Sequence, residues 1–413
     1  MIYAASAKTG REDIGEEVVR QLGEMCPDHT VPLPWRIGRR GAPAFLCLAL
    51  VACGSAAGSG GQAPKSSSAS VAAAGGGQGF SSLKDLAAGA ATEGTLRATW
   101  SQDTLGGAQG FKLIGDTINK KYGISLNYEW APGADMGTLE AKVVQEKEAN
   151  QPASTDVYIG TDTHFGLLRA KQAMKTLDWP GLSEGRITPE IAVKDNAGVK
   201  IDSRFVGVPY NTNFVKGEDV PQQLSDLLKP KWKGKFASTP YAAEWPVLAS
   251  PKMLGGEKTD AFMQQFVPYV SGLIRCGEEQ RVASGEFAMM ALDCGGDPTE
   301  DLQQRGAPIG HAILKDASII NMDRLGVPVN SAHPHAAALF ILYLSTPEGQ
   351  GLVFKLQHID LHYYPESHQH QQLADLQAKG IKPFPATADN LAGFDQKVYQ
   401  DKYTKLLATA AGK

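Results

Sequence analysis

Apolar and polar positions along residues 95 to 160 recur in two registers. Thr95 to Trp100 is a short apolar run. Phe111, Ile114, Ile118 and Tyr122 then return at the three-to-four spacing of one helix face, and Ile124, Leu126, Tyr128 and Trp130 alternate with polar neighbours as a strand does. A second unit follows, with a helix opening at Gly137-Thr138 through Leu139 and Val143, then an apolar strand Asp156-Val157-Tyr158-Ile159-Gly160. Strand, helix and strand in alternation predict an α/β sheet, whose ligands sit beyond the carboxyl ends of its strands.

The pattern upstream is different. From Gly54 to about Gly94 the chain is Gly, Ser, Ala and Gln with almost no large apolar side chains, and residues 53–94 read as a flexible tether. Such a stretch reaches on the order of 35 Å. Before it, Arg36, Arg39 and Arg40 precede an apolar segment from Gly41 to Ala52, which is too short to span a bilayer and has the layout of an export signal over residues 36–52. Leu50-Val51-Ala52-Cys53 resembles the bacterial lipobox, which makes Cys53 the lipidated first residue of the mature chain and predicts attachment to a membrane through lipid. Residues 1–35, with their acidic stretch from Glu12 to Glu24, do not suit a signal's leading region and read as a mis-assigned start.

Charge and cysteine use fit an exported protein. The 413-residue chain carries 40 Lys and Arg against 44 Asp and Glu, a net −4 that gives no reason to expect nucleic-acid binding. With Cys26 and Cys47 discarded and Cys53 lipidated, Cys276 and Cys294 remain. In an oxidising compartment they can bridge; two separate buried thiols or metal ligands are the alternatives. The stretch 95–413 is long enough for two lobes.

Five motifs then occur in a distinctive order: Gly207-Val208-Pro209-Tyr210-Asn211-Thr212-Asn213, Leu227 to Lys235, Val282-Ala283-Ser284-Gly285-Glu286, Ala332-His333-Pro334-His335-Ala336-Ala337, and Ser345-Thr346-Pro347-Glu348-Gly349-Gln350. Together they resemble the extracellular solute-binding proteins of ABC importers, in the group that includes ferric-iron, thiamine, polyamine and phosphonate binders. The resemblance implies a two-lobed periplasmic-binding-protein fold with crossing hinge strands, closing on a small-molecule ligand like a flytrap. Lobe one is expected over 95–209 plus 330–413 and lobe two over 210–329. It also implies a monomer without cofactor or enzymatic chemistry, delivering its ligand to an importer permease. A ligand sensor would share this sequence.

Cleft residues are sought after each strand. In lobe one these are Trp100, Ser101 and Gln102; Gly137 and Thr138, whose helix start offers free N–H groups to an anion; and Thr161 and Asp162. Tyr210 and Asn211 lie at the crossover. Lobe two offers Ser238, Thr239, Tyr241 and Trp245 after Lys235-Phe236-Ala237, and Asp293 beside Cys294. The aromatics serve either recognition or packing.

Three further patterns bear on chemistry. Ferric-iron relatives carry adjacent tyrosines where this chain has Ala291-Leu292-Asp293-Cys294-Gly295-Gly296, and its only adjacent pair, Tyr363-Tyr364, lies beyond the last motif, so an organic solute is favoured over iron. His358, His362, His368 and His370 surround that pair, but Pro365 interrupts them and a solvated segment is preferred to a metal site. Gly181-Leu182-Ser183-Glu184-Gly185 matches the serine-hydrolase nucleophile pattern, yet Pro180 before it and Thr188-Pro189 after it predict a loop instead of the required strand, turn and helix.

Overall fold

The computed structural model describes residues 80–102, 104–133 and 135–410. Cys53, the signal and most of the tether lie outside the described residues. No described helix is long and apolar enough to cross a membrane.

The end of the expected tether is a helix. Leu83–Glu93 (α1) starts at Ser82, whose hydroxyl accepts from the Asp85 amide, and stops at Gly94 in the left-handed conformation. Only Leu86 and Ala90 are buried, one turn apart, yet they suffice because the helix Pro334–Leu344 (α9) facing them is apolar on nearly every side. Small residues let the two helices come close: a Cβ at Gly89 would lie 2.5 Å from the His335 ring. Glu93 then caps α9 from outside, accepting from the His335 amide at 3.0 Å and the Ala336 amide at 2.8 Å, where a helix start leaves N–H groups unpaired. The tether reading therefore fails for this stretch, since composition alone hides a two-residue apolar stripe.

Beyond α1 the expected alternation holds. Thr95–Trp100 (β1) pairs in parallel with Asn127–Pro132 (β2) across Gly107–Tyr122 (α2). Met136–Glu148 (α3) leads to Tyr158–Gly160 (β3), which is followed by Asp162–Ala170 (α4). The first core gathers Trp100, Phe111, Ile114, Tyr158, Phe165 and the buried face of α9. Val199–Lys200 (β4) is an outer strand of this lobe, paired to the returning strand Arg324–Gly326 (β12), which also pairs with β3.

Arg204–Val206 (β5) and Val208–Asn211 (β6) carry the chain into a second core. There Phe236–Ser238 (β7), Val270–Leu273 (β8), Met289–Met290 (β9) and Ile309–Ala312 (β10) form one sheet with β6, in the order β10-β6-β9-β7-β8. Trp245–Leu248 (α5) and Gly256–Phe266 (α6) pack on it through Trp245, Phe262 and Phe266. Gln280–Ala283 (α7) and Asp297–Gln304 (α8) complete the lobe, and Ile319–Asn321 (β11) returns beside β5.

The expected partition needs one correction at the C-terminus. Pro347–Gln357 (α10) and its neighbours pack on the first core, and His368–Ala378 (α11) packs beside the hinge with Phe205 and Ile320. Phe384–Pro385 (β13) then pairs with β11, and Leu391, Tyr403, Leu407 and Ala410 are buried in the second core. The last helix, Gln396–Ala408 (α12), rests against α5, and Tyr403 donates to Asp260 at 3.0 Å. Residues 379–395 thus form a strap that makes a third crossing between the lobes.

Candidate ligand-binding cleft

The loops that follow strands β1, β2 and β3 belong to lobe one, and those that follow β7, β8 and β9 to lobe two. Hinge residues are joined to both sets. Arg204 donates from Nη2 to Asp323 at 2.6 Å, with its Nε 3.6 Å from Asp202. On the lobe-two side Asn321 donates to Glu244 at 2.8 Å, and Gly295 sits against the Arg204 side chain. On the lobe-one side the Arg324 Nε lies 2.9 Å from Asp162.

The two tryptophans expected in the cleft are core residues. Trp100 is fully buried against Phe111 and Phe340 and donates to Val157 O at 2.8 Å, and Trp245 is fully buried beside Phe262 and Phe266. Each ring gains more from complete desolvation than a cleft position would offer. The Gly137-Thr138 helix start is not open to an anion. Asp135 accepts from the Thr138 amide and hydroxyl, both at 3.0 Å, so the chain supplies its own negative charge there, and these bonds hold the Asp135 carboxyl below the usual range.

Other expected residues are committed to the framework. The Asn211 amide donates to Val282 O and Ala283 O, both at 2.9 Å. Asp293 accepts from the amides of Gly207, Gly295 and Gly296 and lies 2.9 Å from His311 Nε2, whose pKa rises because this carboxylate outweighs its burial. Thr161 caps α4 together with His164. Asp162 takes the Ala388 amide as well as the approach of Arg324.

Groups with open valence remain. Ser101, exposed, shares a 2.7 Å hydrogen bond with Thr104, and Gln102 is exposed. Tyr210 is half-buried over Gly310. The Ser238 and Thr239 hydroxyls are buried without a partner at the end of β7. Tyr241, half-buried, accepts from the Cys276 amide at 2.9 Å. Cys276 and Cys294 are joined as a disulfide, with Cα atoms 5.9 Å apart, so Tyr241 and the two sulfurs staple together the three loops of the lobe-two wall.

Two acids that the sequence did not single out stand in this wall. Glu244 accepts from Asn321, and burial pushes it up to about 7. Glu279 is fully buried, with one oxygen accepting from Gly277 at 2.8 Å and the other unpartnered; burial, with Asp293 adding, pushes it up to about 8. Nothing in the adjacent Glu278-Glu279 marks which of the two is buried; only the tertiary fold separates them.

The other chemistry-bearing patterns resolve into structure. Ser183 donates to Pro180 O and accepts from Ile187, after a single helical turn with no preceding strand. His358, His362, His368 and His370 bond separately, to Asp301, Ser203, Asp360 and the His362 carbonyl. Among the described residues no group of three or more His, Cys, Asp or Glu side chains is arranged to hold a metal ion.

Residues 114–386 match the family of bacterial extracellular solute-binding proteins. The chain belongs to this family. It is 22% identical over 246 residues to an Fe(3+)-binding periplasmic protein of Serratia marcescens, covering 58% of this chain and 71% of that one. Among solved structures, the substrate-binding protein of an ABC transporter from Agrobacterium tumefaciens superposes with a TM-score of 0.62 at 15% identity, over 77% of this chain and 96% of that one. Iron-bound HitA from Pseudomonas aeruginosa gives 0.57 at 18%, over 76% and 99%. These likenesses establish the two-lobed fold of the periplasmic binding proteins.

The buried Glu279 sets a pH signature. An unfolded glutamate loses its proton near its ordinary 4.5, whereas Glu279 keeps it in the fold to about 8. Between these values the folded state binds more protons, so stability falls as pH rises through that window, and Glu244 acts in the same direction. Glu279→Gln should reduce the loss of unfolding free energy between pH 5 and pH 9 by more than about 1 kcal/mol in urea titrations. An unchanged loss would mean that the carboxyl is ionised inside the fold.

Proposed function

We propose that the protein is a membrane-tethered receptor that holds a compact organic solute between its lobes and delivers it to the permease of an ABC importer. The observation that carries this reading is the composition of the lobe-two wall, which offers the half-buried Tyr241 phenol and the unpartnered Ser238 and Thr239 hydroxyls at the end of β7. A half-buried phenol and unpartnered hydroxyls suit a compact solute with a polar end and an apolar or cationic body that a ring face can meet. With Trp100 and Trp245 in the cores, ring contacts fall to Tyr210 and Tyr241, each worth on the order of 1 kcal/mol.

Iron is less well served. The stretch 291–296 offers no tyrosine, its Asp293 is saturated by backbone amides, and its Cys294 is in a disulfide. Tyr364 is buried under the Arg186 guanidinium, 4.0 Å from its ring centre, and Tyr363 stands by Lys200 at the edge of lobe one. Closure follows from the division of contacts: both lobes contribute some of them, and a solute stabilises the state in which all are made.

Native mass spectrometry of freshly purified protein should show an organic adduct, and thermal-shift screening should give its largest shift with an organic cation such as a polyamine, a thiamine-like cation or an amino-acid derivative. A large shift with ferric iron alone overturns the reading.

Lipid attachment through Cys53 rests on the Leu50-Val51-Ala52-Cys53 motif and the apolar segment before it. Cys53→Ser should move the protein to the soluble fraction or leave it unprocessed. A variant that is processed and still membrane-bound excludes the lipid anchor.

A further inference from the structure

A cavity of about 350 Å³ lies between the lobes, where α8 of lobe two faces the end of α10 of lobe one. Gln357 and His358 line it from lobe one, and Gly277, Asp297, Asp301 and Arg305 from lobe two. Its size and its place at a junction of two lobes are those of a small-molecule site. Gly277 follows Cys276, whose amide donates to Tyr241, so the cavity continues the strand-end wall of the cleft.

Its walls are already built. On the lobe-one side Gln357 Oε1 accepts from the Leu105 amide at 2.7 Å, which holds the turn Thr104–Gly106 against the end of α10. A Cβ at Gly106, where φ is +75°, would lie 2.9 Å from Leu356 Cδ2, so only glycine lets the turn seat this closely. Between the lobes His358 Nε2 lies 3.4 Å from Asp301. Among the described residues this is the one ion-pair contact, outside the Arg204 contacts at the hinge, that joins lobe one directly to lobe two. Asp301 also accepts from Arg305 at 2.9 Å, so it is engaged from both sides.

Asp297 is not engaged in this way. It is half-buried at the first position of α8, and among the described residues no side chain donates to it and no cation stands within ion-pair distance. The helix start favours its negative charge, yet burial, ahead of the opposing effect of Arg204, lifts its carboxyl above the ordinary range. Arg305, the cation on the same wall, is spent on Asp301. The unmet group on the cavity wall is therefore a carboxylate, and a half-buried carboxylate without a donor costs free energy until one arrives. Glu300, in the same first turn of α8, is not on this wall.

We propose, resting on the receptor reading above, that this inter-lobe cavity seats the charged end of the solute and that this end is a protonated amine donating to Asp297, which makes the solute an organic amine. An amine donates in several directions and carries the charge that Asp297 lacks. Held there, the solute meets lobe two at Asp297 and lobe one at the Gln357 wall, and so draws the lobes together.

The test is calorimetry on the full chain at low ionic strength, stripped of solute by unfolding and refolding, with putrescine, agmatine and lysine amide set against butanediol and succinate. Wild type should bind at least one of the amines and neither of the counterparts. Asp297→Asn should weaken that amine about tenfold or more, and Asp297→Glu, which keeps the charge, should recover most of the loss. Glu300→Gln removes the same charge from the same helix turn but not from the cavity wall, and should hold binding within about threefold. No binding of any amine at millimolar concentration, a preference for butanediol or succinate, or equal effects of Asp297→Asn and Glu300→Gln each overturns the proposal. The receptor reading is judged apart from it: a native-mass adduct that lacks a basic nitrogen and persists in Asp297→Asn removes the amine and leaves the receptor, whereas a thermal shift with ferric iron alone removes both.

Discussion

The guanidinium of Arg204, set between Asp202 and Asp323, is the interaction on which the arrangement of the two lobes depends. It lies where the outgoing strand β5 and the return toward β12 pass one another. Asp323 also donates its amide to Asp202 at 3.1 Å, and Ile201 donates to the Asp323 carbonyl at 2.9 Å, so charge and backbone bonds fix the same register. Burial, with the nearby Asp323 adding, pushes Asp202 up to about 7. A buried ion cluster of this kind adds little net stability against an apolar substitute, but losing one partner leaves an uncompensated charge and is costly. Its effect is to specify one crossing geometry.

The lobe-two wall is built outward from that point. Gly295 takes a backbone conformation open to glycine, and a Cβ there would lie 2.2 Å from the Arg204 Cβ, so the loop after β9 can lean directly on the hinge strand. One residue earlier the disulfide ties this loop to the one after β8, and Asp293 gathers three backbone amides beneath it. Rigidity at the hinge is thereby passed to the surface that bears Tyr241, Glu244 and Glu279.

Local patterns in the sequence were legible, and long-range commitments were not. The strand at Thr95–Trp100 and the helix through Phe111 and Ile118 depend on neighbours within a turn or a strand. The five ordered motifs carried the family. Trp100 and Trp245 were misplaced because an aromatic after a strand has the same sequence signature whether it faces a cleft or a core. Asp135 was missed as the α3 cap, since Asp135-Met136-Gly137-Thr138 does not show which group takes the helix end. The amphipathic α12 carries no mark of which lobe it joins, and Arg204 and Asp323 meet across more than a hundred residues.

The central claim is that two separately cored lobes, joined by three crossings, close on a solute. Small-angle X-ray scattering of the protein as purified, after removal of solute by unfolding and refolding, and after return of the extracted solute tests it most directly. The account predicts a larger radius of gyration for the stripped protein and recovery of the smaller value when solute returns. Identical scattering from all three samples would contradict it.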